Sequence, residues 1–151
     1  MRYSRTLSTV AATAAVVAGT VLLPTQAQAV GSVHLYKIYY DSPGTDSRSN
    51  ASLNAEYVQI RNTTTGAVSL TGWSVVDASN HKYTFGSYSL ARGKTVTVRT
   101  GSGTNTAANR YQGRAAYVWN NDRDKATLKK STGAVADTCS YNSTRVDYKM
   151  C

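Results

Sequence analysis

The sequence has few of the residues from which reaction centres are built. Its 151 residues include only two cysteines and two histidines. His34 and His81 have no metal-type spacing with the cysteines, so we expect no metal site. No GxSxG or other nucleophile motif occurs, and no glycine-rich loop leads from a strand into a helix to hold phosphate. We therefore expect no catalytic residue and no cofactor, and the predicted class is not an enzyme.

Helical periodicity is also missing. After the first 29 residues, no window shows the i, i+3, i+4 recurrence of apolar residues that an amphipathic helix needs. This leaves little room for an α/β enzyme fold. Apolar and polar residues instead alternate in short runs, such as Glu56 to Arg61 and Lys94 to Thr100, with turn residues between them. About seven or eight such runs predict an all-β fold, an immunoglobulin-like antiparallel β-sandwich.

The same pattern predicts where the sandwich is irregular. Alternation slips near Lys37-Ile38, which indicates a bulge, and Gly72 indicates a second one. Two polar segments, Asp41 to Ala55 and Gly101 to Arg114, are predicted to be loops. Ala115 to Trp119 is predicted to be a strand.

The predicted core is centred on the stretch from Leu70 to Asp77, where a tryptophan and a short β-branched run precede a turn-forming aspartate. Inward-facing positions of the other runs complete it. The predicted core residues are Val58, Ile60, Leu70, Trp73, Val75, Phe85, Val96, Val98 and Leu128.

The first 29 residues have the composition of a secretory signal peptide. Two arginines precede the uncharged apolar run Leu7 to Leu23, and Ala27-Gln28-Ala29 is a small-residue cleavage pattern. An uncleaved membrane anchor is the alternative, but the run is short and stops at Pro24. We expect residues 1–29 to be removed, which leaves residues 30–151 as a single secreted domain, monomeric and without a membrane span.

One intramolecular disulfide is possible, because Cys139 and Cys151 are the only cysteines. Export would carry them into an oxidising compartment. The bond would stabilise the fold by roughly 3 kcal/mol in the chain-entropy model. We expect it to fasten the tail from Ser140 to Met150 onto the last strand.

Positive charge is concentrated in the second half of the chain. Residues 30–90 contain four lysines and arginines and four carboxylates, whereas residues 91–151 contain 11 and four. A cationic face of this kind attracts anionic polymers or cell-surface groups. The other explanation is a solvated surface that keeps the protein in solution.

The first region that could bind a ligand lies where a predicted strand ends in a turn, and aromatic side chains there meet amides and carboxylates. Its residues are Tyr117, Trp119, Asn120, Asn121, Asp122, Arg123 and Asp124. The region could hold a sugar, a peptide or a cation. The structural interpretation is a core tryptophan followed by an Asn/Asp turn, which demands the same residue types.

The second region is a set of cations with tyrosines nearby, a combination that suits nucleic-acid backbones and bases. It comprises Arg110, Arg114, Arg123, Lys125, Lys129 and Lys130. No RRM, OB or zinc-finger signature accompanies it. Oxygen ligands for calcium are also present in the first polar segment, although they lack EF-hand spacing and suit ordinary turns. They are Asp41, Asp46, Asn50 and Asn54.

The order and spacing of several motifs point to a known family. The motifs are EYVQIRN at 56–62, LTGWSVVD at 70–77, YTF at 83–85, the turn Leu90 to Gly93, TGSGTN at 100–105, YVWNN at 117–121, and DKATL at 124–128 before Gly133 and Asp137. Each motif is weak alone, but together they are fairly specific. From about residue 33 to 141 the chain resembles the lamin tail domain family, in its small secreted bacterial form.

The resemblance implies an immunoglobulin-like β-sandwich with no established catalytic residue. Relatives occur at the nuclear lamina, where they contact proteins and DNA, and in exported bacterial proteins, sometimes beside nucleases or other hydrolases. The bacterial pattern usually has Asn-Asn-x-Gly-Asp, whereas Arg123 stands here in place of the glycine. Because a residue with a side chain takes positive φ only at a cost, we expect a reshaped loop.

The leading hypothesis is a secreted, non-catalytic interaction module that engages an extracellular protein or cell-surface partner. An exposed sheet edge would be available to a partner strand. The alternative is an extracellular binder of nucleic acid or another anionic polymer that uses the basic second half. A small hydrolase with a cryptic site is the third hypothesis.

Overall fold

The structure, a computed structural model, describes residues 31–151. The predicted signal peptide, residues 1–29, lies outside the described residues. The described part contains eleven strands and one short helix. In chain order these are β1 (Val33–Tyr39), α1 (Asn50–Ala55), β2 (Tyr57–Asn62), β3 (Val68–Ser69), β4 (Ser74–Val76), β5 (Lys82–Thr84), β6 (Ser89–Leu90), β7 (Thr95–Arg99), β8 (Asn109–Tyr111), β9 (Arg123–Lys129), β10 (Val135–Asn142) and β11 (Tyr148–Met150).

The strands form two main sheets around one hydrophobic core. One sheet has the order β11-β1-β2-β7-β8 and the other the order β10-β9-β4-β5, while β3 and β6 form a separate two-stranded sheet. All pairs are antiparallel except β7 with β8. The immunoglobulin-like antiparallel β-sandwich is confirmed. The strands outnumber the predicted seven or eight because several have two or three residues, which is too short for visible alternation.

The core follows from alternation in the longer strands. Val58 and Ile60 of β2 lie opposite Val98 and Val96 of β7, and all four are fully buried. The buried residues also include Leu70, Val75, Phe85 and Leu128.

Trp73 differs from the other predicted core residues. It is only partly buried and packs against the edge of the core, because it precedes β4, which begins at Ser74. Trp119 is instead the largest fully buried side chain, with 1% of its surface exposed. The core is therefore centred on a different tryptophan from the one predicted.

Of the two predicted bulges, the one near Lys37 is confirmed and the one at Gly72 is wrong. The register of β1 against β2 shifts between Leu35 and Lys37, just before the predicted bulge position. Gly72, predicted to mark a bulge, lies in a turn that is closed by a 2.9 Å hydrogen bond from the Trp73 backbone N–H to the Leu70 carbonyl. Its φ of +76° is the left-handed conformation that glycine adopts without strain.

The predicted loop from Asp41 to Ala55 is wrong at its end, which forms helix α1. Ser49 caps this helix by accepting a 3.2 Å hydrogen bond from the Ser52 backbone N–H, and Leu53 is its buried residue. Six residues make fewer than two turns. An apolar repeat therefore has no room to show in the sequence.

The segment from Gly101 to Trp119 also differs from prediction. The predicted loop contains β8, which pairs in parallel with β7. Ala115 to Trp119 is not a strand, since the Val118 backbone N–H donates to the Glu56 side chain at 2.8 Å instead of to a neighbouring strand. The deciding partner is the preceding strand for β8 and a side chain 62 residues away for Val118.

The predicted disulfide between Cys139 and Cys151 is present. As expected, it fastens the end of the tail to β10, the predicted last strand. The tail forms β11, which pairs with β1, and the Cys151 backbone N–H donates to the Tyr36 carbonyl at 3.0 Å. The bond therefore joins β10 of one sheet to the end of the edge strand of the other.

Candidate binding surfaces

The first predicted binding region, residues 117–124, is largely committed to internal contacts. The Tyr117 hydroxyl lies 2.6 Å from the Ser52 hydroxyl. Trp119 is buried, and Val118 donates to Glu56. These residues pack the segment against α1 and the core, which agrees with the structural interpretation of the aromatic pair.

Asp124 organises the following turn. Its carboxylate accepts hydrogen bonds from the backbone N–H groups of Ala78 at 3.0 Å, Lys125 at 2.7 Å and Asn120 at 3.2 Å, and from the Asn120 amide at 3.2 Å. The Tyr141 hydroxyl donates to the Asn120 carbonyl at 2.6 Å, and burial raises the pKa of that hydroxyl. Asp124 and Asn120 therefore hold the turn and have little capacity left for a ligand.

The tip of the region is exposed. The Asn121 amide donates to Asp41 at 3.1 Å and to Asp46 at 3.2 Å, and Asp122 forms a 3.7 Å ion pair with Arg123. Partial burial, together with the nearby Asp147 and Asp46 carboxylates, raises the pKa of Asp41.

The expected reshaping of this turn around Arg123 stays a prediction. Arg123 begins β9 and is not among the described residues with positive φ, so the position does not require glycine.

The four predicted calcium ligands have two separate sets of contacts. Asp41 and Asp46 share the Asn121 amide. Asn50 and Asn54 instead both donate to the Ser102 carbonyl, at 3.0 and 2.9 Å. Within residues 31–151 no group of three His, Cys, Asp or Glu side chains could hold a metal ion.

The predicted basic set divides between different parts of the fold. Arg123, Lys125 and Lys129 lie on β9. Arg110 lies on β8. Arg114 is held by hydrogen bonds to the Gln112 side chain at 3.2 Å and the Lys82 carbonyl at 3.3 Å, and Lys130 lies in the β9–β10 turn. The set is therefore not one continuous patch.

The β9 cations belong to a surface that we call the cationic face, the outward side of the sheet β10-β9-β4-β5. Along β9 the alternate residues Asp124, Ala126 and Leu128 are buried, so Arg123, Lys125 and Lys129 point outward. Lys82 of β5 lies on the same side. It is the cross-strand partner of Val76 in β4, and Val76 is in turn the partner of the outward-facing Thr127 in β9. The remaining residues on this side of the sheet are Thr84, Thr127, Val135, Thr138, Ser140 and Asn142, together with Ser74 and Val76 of β4, which are buried.

No aspartate or glutamate lies among these outward-facing strand residues. Asp124 is buried within its turn, and Asp137 accepts a 2.8 Å hydrogen bond from the Leu35 backbone N–H of the other sheet. The strands of the cationic face thus carry positive side chains and hydroxyl groups without a carboxylate among them, and Arg123 pairs with Asp122 of the preceding turn.

A row of aromatic side chains crosses the opposite sheet and was not predicted. Tyr39 stacks on Tyr57 at 5.3 Å and on Tyr148 at 6.1 Å between ring centroids. Lys37 lies 4.1 Å from the Tyr148 ring centroid, and Arg99 lies 5.5 Å from that of Tyr57. The three tyrosines are cross-strand neighbours on β11, β1 and β2, so only the strand register brings them together.

Comparison with known protein families decides the classification. A family model described as Lamin Tail Domain matches residues 26–143, which is more than half of the chain. The chain belongs to the lamin tail domain family. Lamin tail domains are immunoglobulin-like and not typically catalytic, and the family fits an interaction module. A comparison with curated proteins found no match.

This lamin tail domain has a buried carboxyl group that sequence reasoning missed. Glu56 is 0% exposed, and its Oε1 accepts hydrogen bonds from the Thr100 hydroxyl at 2.6 Å and the Val118 backbone N–H at 2.8 Å. Burial raises its pKa to about 7, against the opposing effect of these donors. Period-two alternation was the available signal, because Glu56 falls on the inward side with Val58 and Ile60.

The domain also has an exposed sheet edge. All three residues of β11 are exposed, and β11 pairs with β1 on one side and with no other described strand. Val146, just before it, is 51% exposed. None of the described helices is long and apolar enough to cross a membrane.

Proposed function

We propose that this lamin tail domain is a secreted, non-catalytic interaction module that binds an acidic extracellular protein or an acidic cell-surface partner through the cationic face. The observation that carries the proposal is the row of cations on a regular sheet whose outward-facing strand residues include no carboxylate. The exposed edge of β11 adds a second place where a partner strand can pair.

The geometry makes the cations act together. Alternate residues of a strand lie about 6.6 Å apart, and neighbouring strands lie about 4.8 Å apart. Arg123 and Lys125 are therefore separated by less than the Debye length of about 8 Å at physiological ionic strength, so their potentials add. Lys129 and Lys82 extend the positive potential along β9 and across β4 to β5. Such a surface mainly sets orientation and association rate.

Secretion and the monomeric state are parts of the proposal with their own tests. The signal-like first 29 residues and the disulfide support export. Mass spectrometry of protein from the culture medium should find a mature chain that begins near Val30. A cell-associated chain that retains its first residues would contradict export.

Analytical ultracentrifugation should give the mass of one chain, and a stable dimer would contradict the proposed monomeric state.

The binding proposal is tested by reversing the charge of the face. The triple variant Arg123→Glu, Lys125→Glu and Lys129→Glu should lose at least about tenfold in affinity for immobilised poly-glutamate, chiefly through a slower association rate. The matched control reverses three exposed cations elsewhere, namely Arg48, Arg92 and Lys94. It makes the same change in net charge and should lose much less. Equal losses would show that only net charge matters, and the cationic face would then have no special role.

A second candidate function, binding of single-stranded nucleic acid, is favoured by the tyrosine row. Bases stack on aromatic rings, and Lys37 and Arg99 beside the row would contact phosphates. Electrophoretic mobility shift at about 50 and about 200 mM NaCl tests it, since phosphate contacts make affinity strongly salt-dependent. Tyr39→Ser should weaken a genuine complex. Absence of retardation at the lower salt concentration would remove this candidate.

A further inference from the structure

A polar cleft lies away from the cationic face, between the β3–β6 sheet and β8. Its volume is about 440 Å³, and it is open to solvent on one side. The lining residues are Ser69, Thr71, Ser87, Tyr88, Ser89, Ala107 and Arg110. This set contains four aliphatic hydroxyl groups and one guanidinium, with no carboxylate.

Arg110 is the charged group of the cleft, and it rests on a fixed aromatic ring. Its Cζ lies 4.1 Å from the ring centroid of Tyr88. Tyr88 is buried, donates its hydroxyl hydrogen to the Ala107 carbonyl at 2.6 Å, and stacks on Phe85 with 5.6 Å between centroids. Stacking on a held ring restricts the guanidinium before any ligand arrives, which lowers the entropic cost of binding.

The hydrogen-bonding capacity of this guanidinium is unused. Within residues 31–151, the ion pairs are His81 with Asp77 and Arg123 with Asp122, so Arg110 has no carboxylate partner. Its Nε is buried and has no hydrogen-bond partner. By contrast, Arg99 donates to the Asn109 side chain at 2.9 Å. A half-buried guanidinium without acceptors is costly, and an anionic ligand would supply them.

The hydroxyl groups line the cleft beside the β3–β6 sheet. Ser69 of β3 is the cross-strand partner of Ser89 of β6, and Thr71 and Ser87, which lie just outside these strands, line the same cleft. Thr71 Oγ1 already accepts from the Tyr88 backbone N–H and from Ser69 Oγ, both at 3.2 Å, so its own hydrogen remains to be donated. Ser87 and Ser89 use their hydroxyls in no hydrogen bond to the described residues.

We propose that this cleft is a binding site for a tetrahedral oxyanion, a sulfate or phosphate group, either free or carried on a saccharide. Arg110 would donate two parallel N–H groups to two of the oxygens. Thr71, Ser87 and Ser89 would donate to the others from the opposite wall. A planar carboxylate has two oxygens and would leave several of these donors unused. The cleft is larger than one such group, which leaves space for an attached sugar ring.

The test uses the full mature chain at low ionic strength and two-dimensional ¹H–¹⁵N NMR. Sodium sulfate should shift the amide signals around Ser87, Ser89 and Arg110, with half-saturation in the millimolar range, whereas sodium chloride at matched ionic strength should not. Glucose 6-sulfate separates the two sources: affinity at least about tenfold higher than that of free sulfate assigns the site to a sulfated saccharide, and equal affinity assigns it to the free ion.

Matched variants decide whether the cleft is the place where sulfate binds. Arg110→Gln should weaken sulfate binding at least about tenfold. Arg61→Gln is its control. Like Arg110, Arg61 lies over a tyrosine ring, 5.1 Å from the Tyr36 centroid, and has an Nε without a hydrogen-bond partner. Unlike Arg110, it lies outside the cleft. The double variant Ser87→Ala and Ser89→Ala should weaken binding about threefold or more and decides the matter if Arg110→Gln does not fold.

Three results would overturn the proposal: equal weakening by Arg61→Gln, equal shifts with sodium acetate, or no saturable shifts with any of the oxyanions. At physiological ionic strength, where the Debye length is about 8 Å, charge reversal of the cationic face should leave sulfate binding at the cleft within about twofold of the original. The oxyanion site and the proposed function can therefore fail independently.

Discussion

Replacing Glu56 by glutamine should make the stability of this domain less dependent on pH. Glu56 lies between α1 and β2, and its carboxyl group connects two other segments. It accepts hydrogen bonds from Thr100 after β7 and from Val118 before β9. Its second oxygen, Oε2, is buried without a partner. The buried site thus favours the neutral carboxylic acid over the charged carboxylate.

The magnitude follows from the shift in pKa. Burial raises the pKa of Glu56 from 4.5 to about 7. Because the folded protein holds this proton more tightly than the unfolded chain does, the stabilising contribution is full below about pH 4.5 and is lost as the pH rises through about 7. One pKa unit corresponds to about 1.4 kcal/mol, so the loss amounts to about 3 kcal/mol. Glutamine has no proton to lose, and its amide costs the same at every pH.

The assay is urea denaturation of both proteins, with the disulfide intact, from about pH 4.5 to about pH 8.5. The free energy of unfolding of Glu56→Gln, minus that of the original protein, should increase by about 3 kcal/mol across this range. Burial also raises the pKa of Tyr141, which keeps that hydroxyl neutral throughout. The control Asp122→Asn removes an exposed carboxylate and should give a constant difference. A constant difference for Glu56→Gln as well would refute the reasoning.

Three further changes probe the scaffold. Replacing both Cys139 and Cys151 by alanine should lower the free energy of unfolding by about 3 kcal/mol in urea denaturation, and a loss below about 1 kcal/mol would contradict the tie between the sheets. Asp124→Asn places an amide opposite the N–H donors of Asn120 and should lower the free energy of unfolding by about 1 to 3 kcal/mol in the same assay. An unchanged free energy would mean that other contacts hold the turn. Gly72→Ala should cost at least about 1 kcal/mol because of its φ of +76°, and an unchanged melting temperature would argue against that conformation.

Much of the fold could be predicted because the longer strands are marked by a pattern within their own sequence. In β2 and β7 every second residue is apolar, and this alternation marks the strands and their buried sides. The strands β8 and β11 carry no such signal, since each has three residues. β8 depends on parallel pairing with the preceding strand, and β11 depends on β1 at the other end of the domain. The helix α1 was missed for a related reason: its six residues are set by a cap and a single buried leucine.

The surfaces were less accessible to prediction than the core. Alternation alone could have placed Arg123, Lys125 and Lys129 on one side of β9, but Lys82 joins them only through the pairing of β9, β4 and β5. Arg110 belongs to the same half of the sequence and lies elsewhere, over Tyr88. Net charge in a half-chain therefore does not define a patch. Strand register does, and register was not readable from the sequence.

The region from Tyr117 to Asp124 shows why residue type alone is a weak guide to a binding site. Its aromatic and polar side chains suit a ligand, yet Asp124 already accepts four hydrogen bonds, while Trp119 is buried. Because Asp124 stands between Arg123 and Lys125 on β9, fixing its carboxylate inward directs both neighbours outward. The internal hydrogen bonds of this region therefore orient the cationic face, and the capacity to bind lies with the cations that the turn positions.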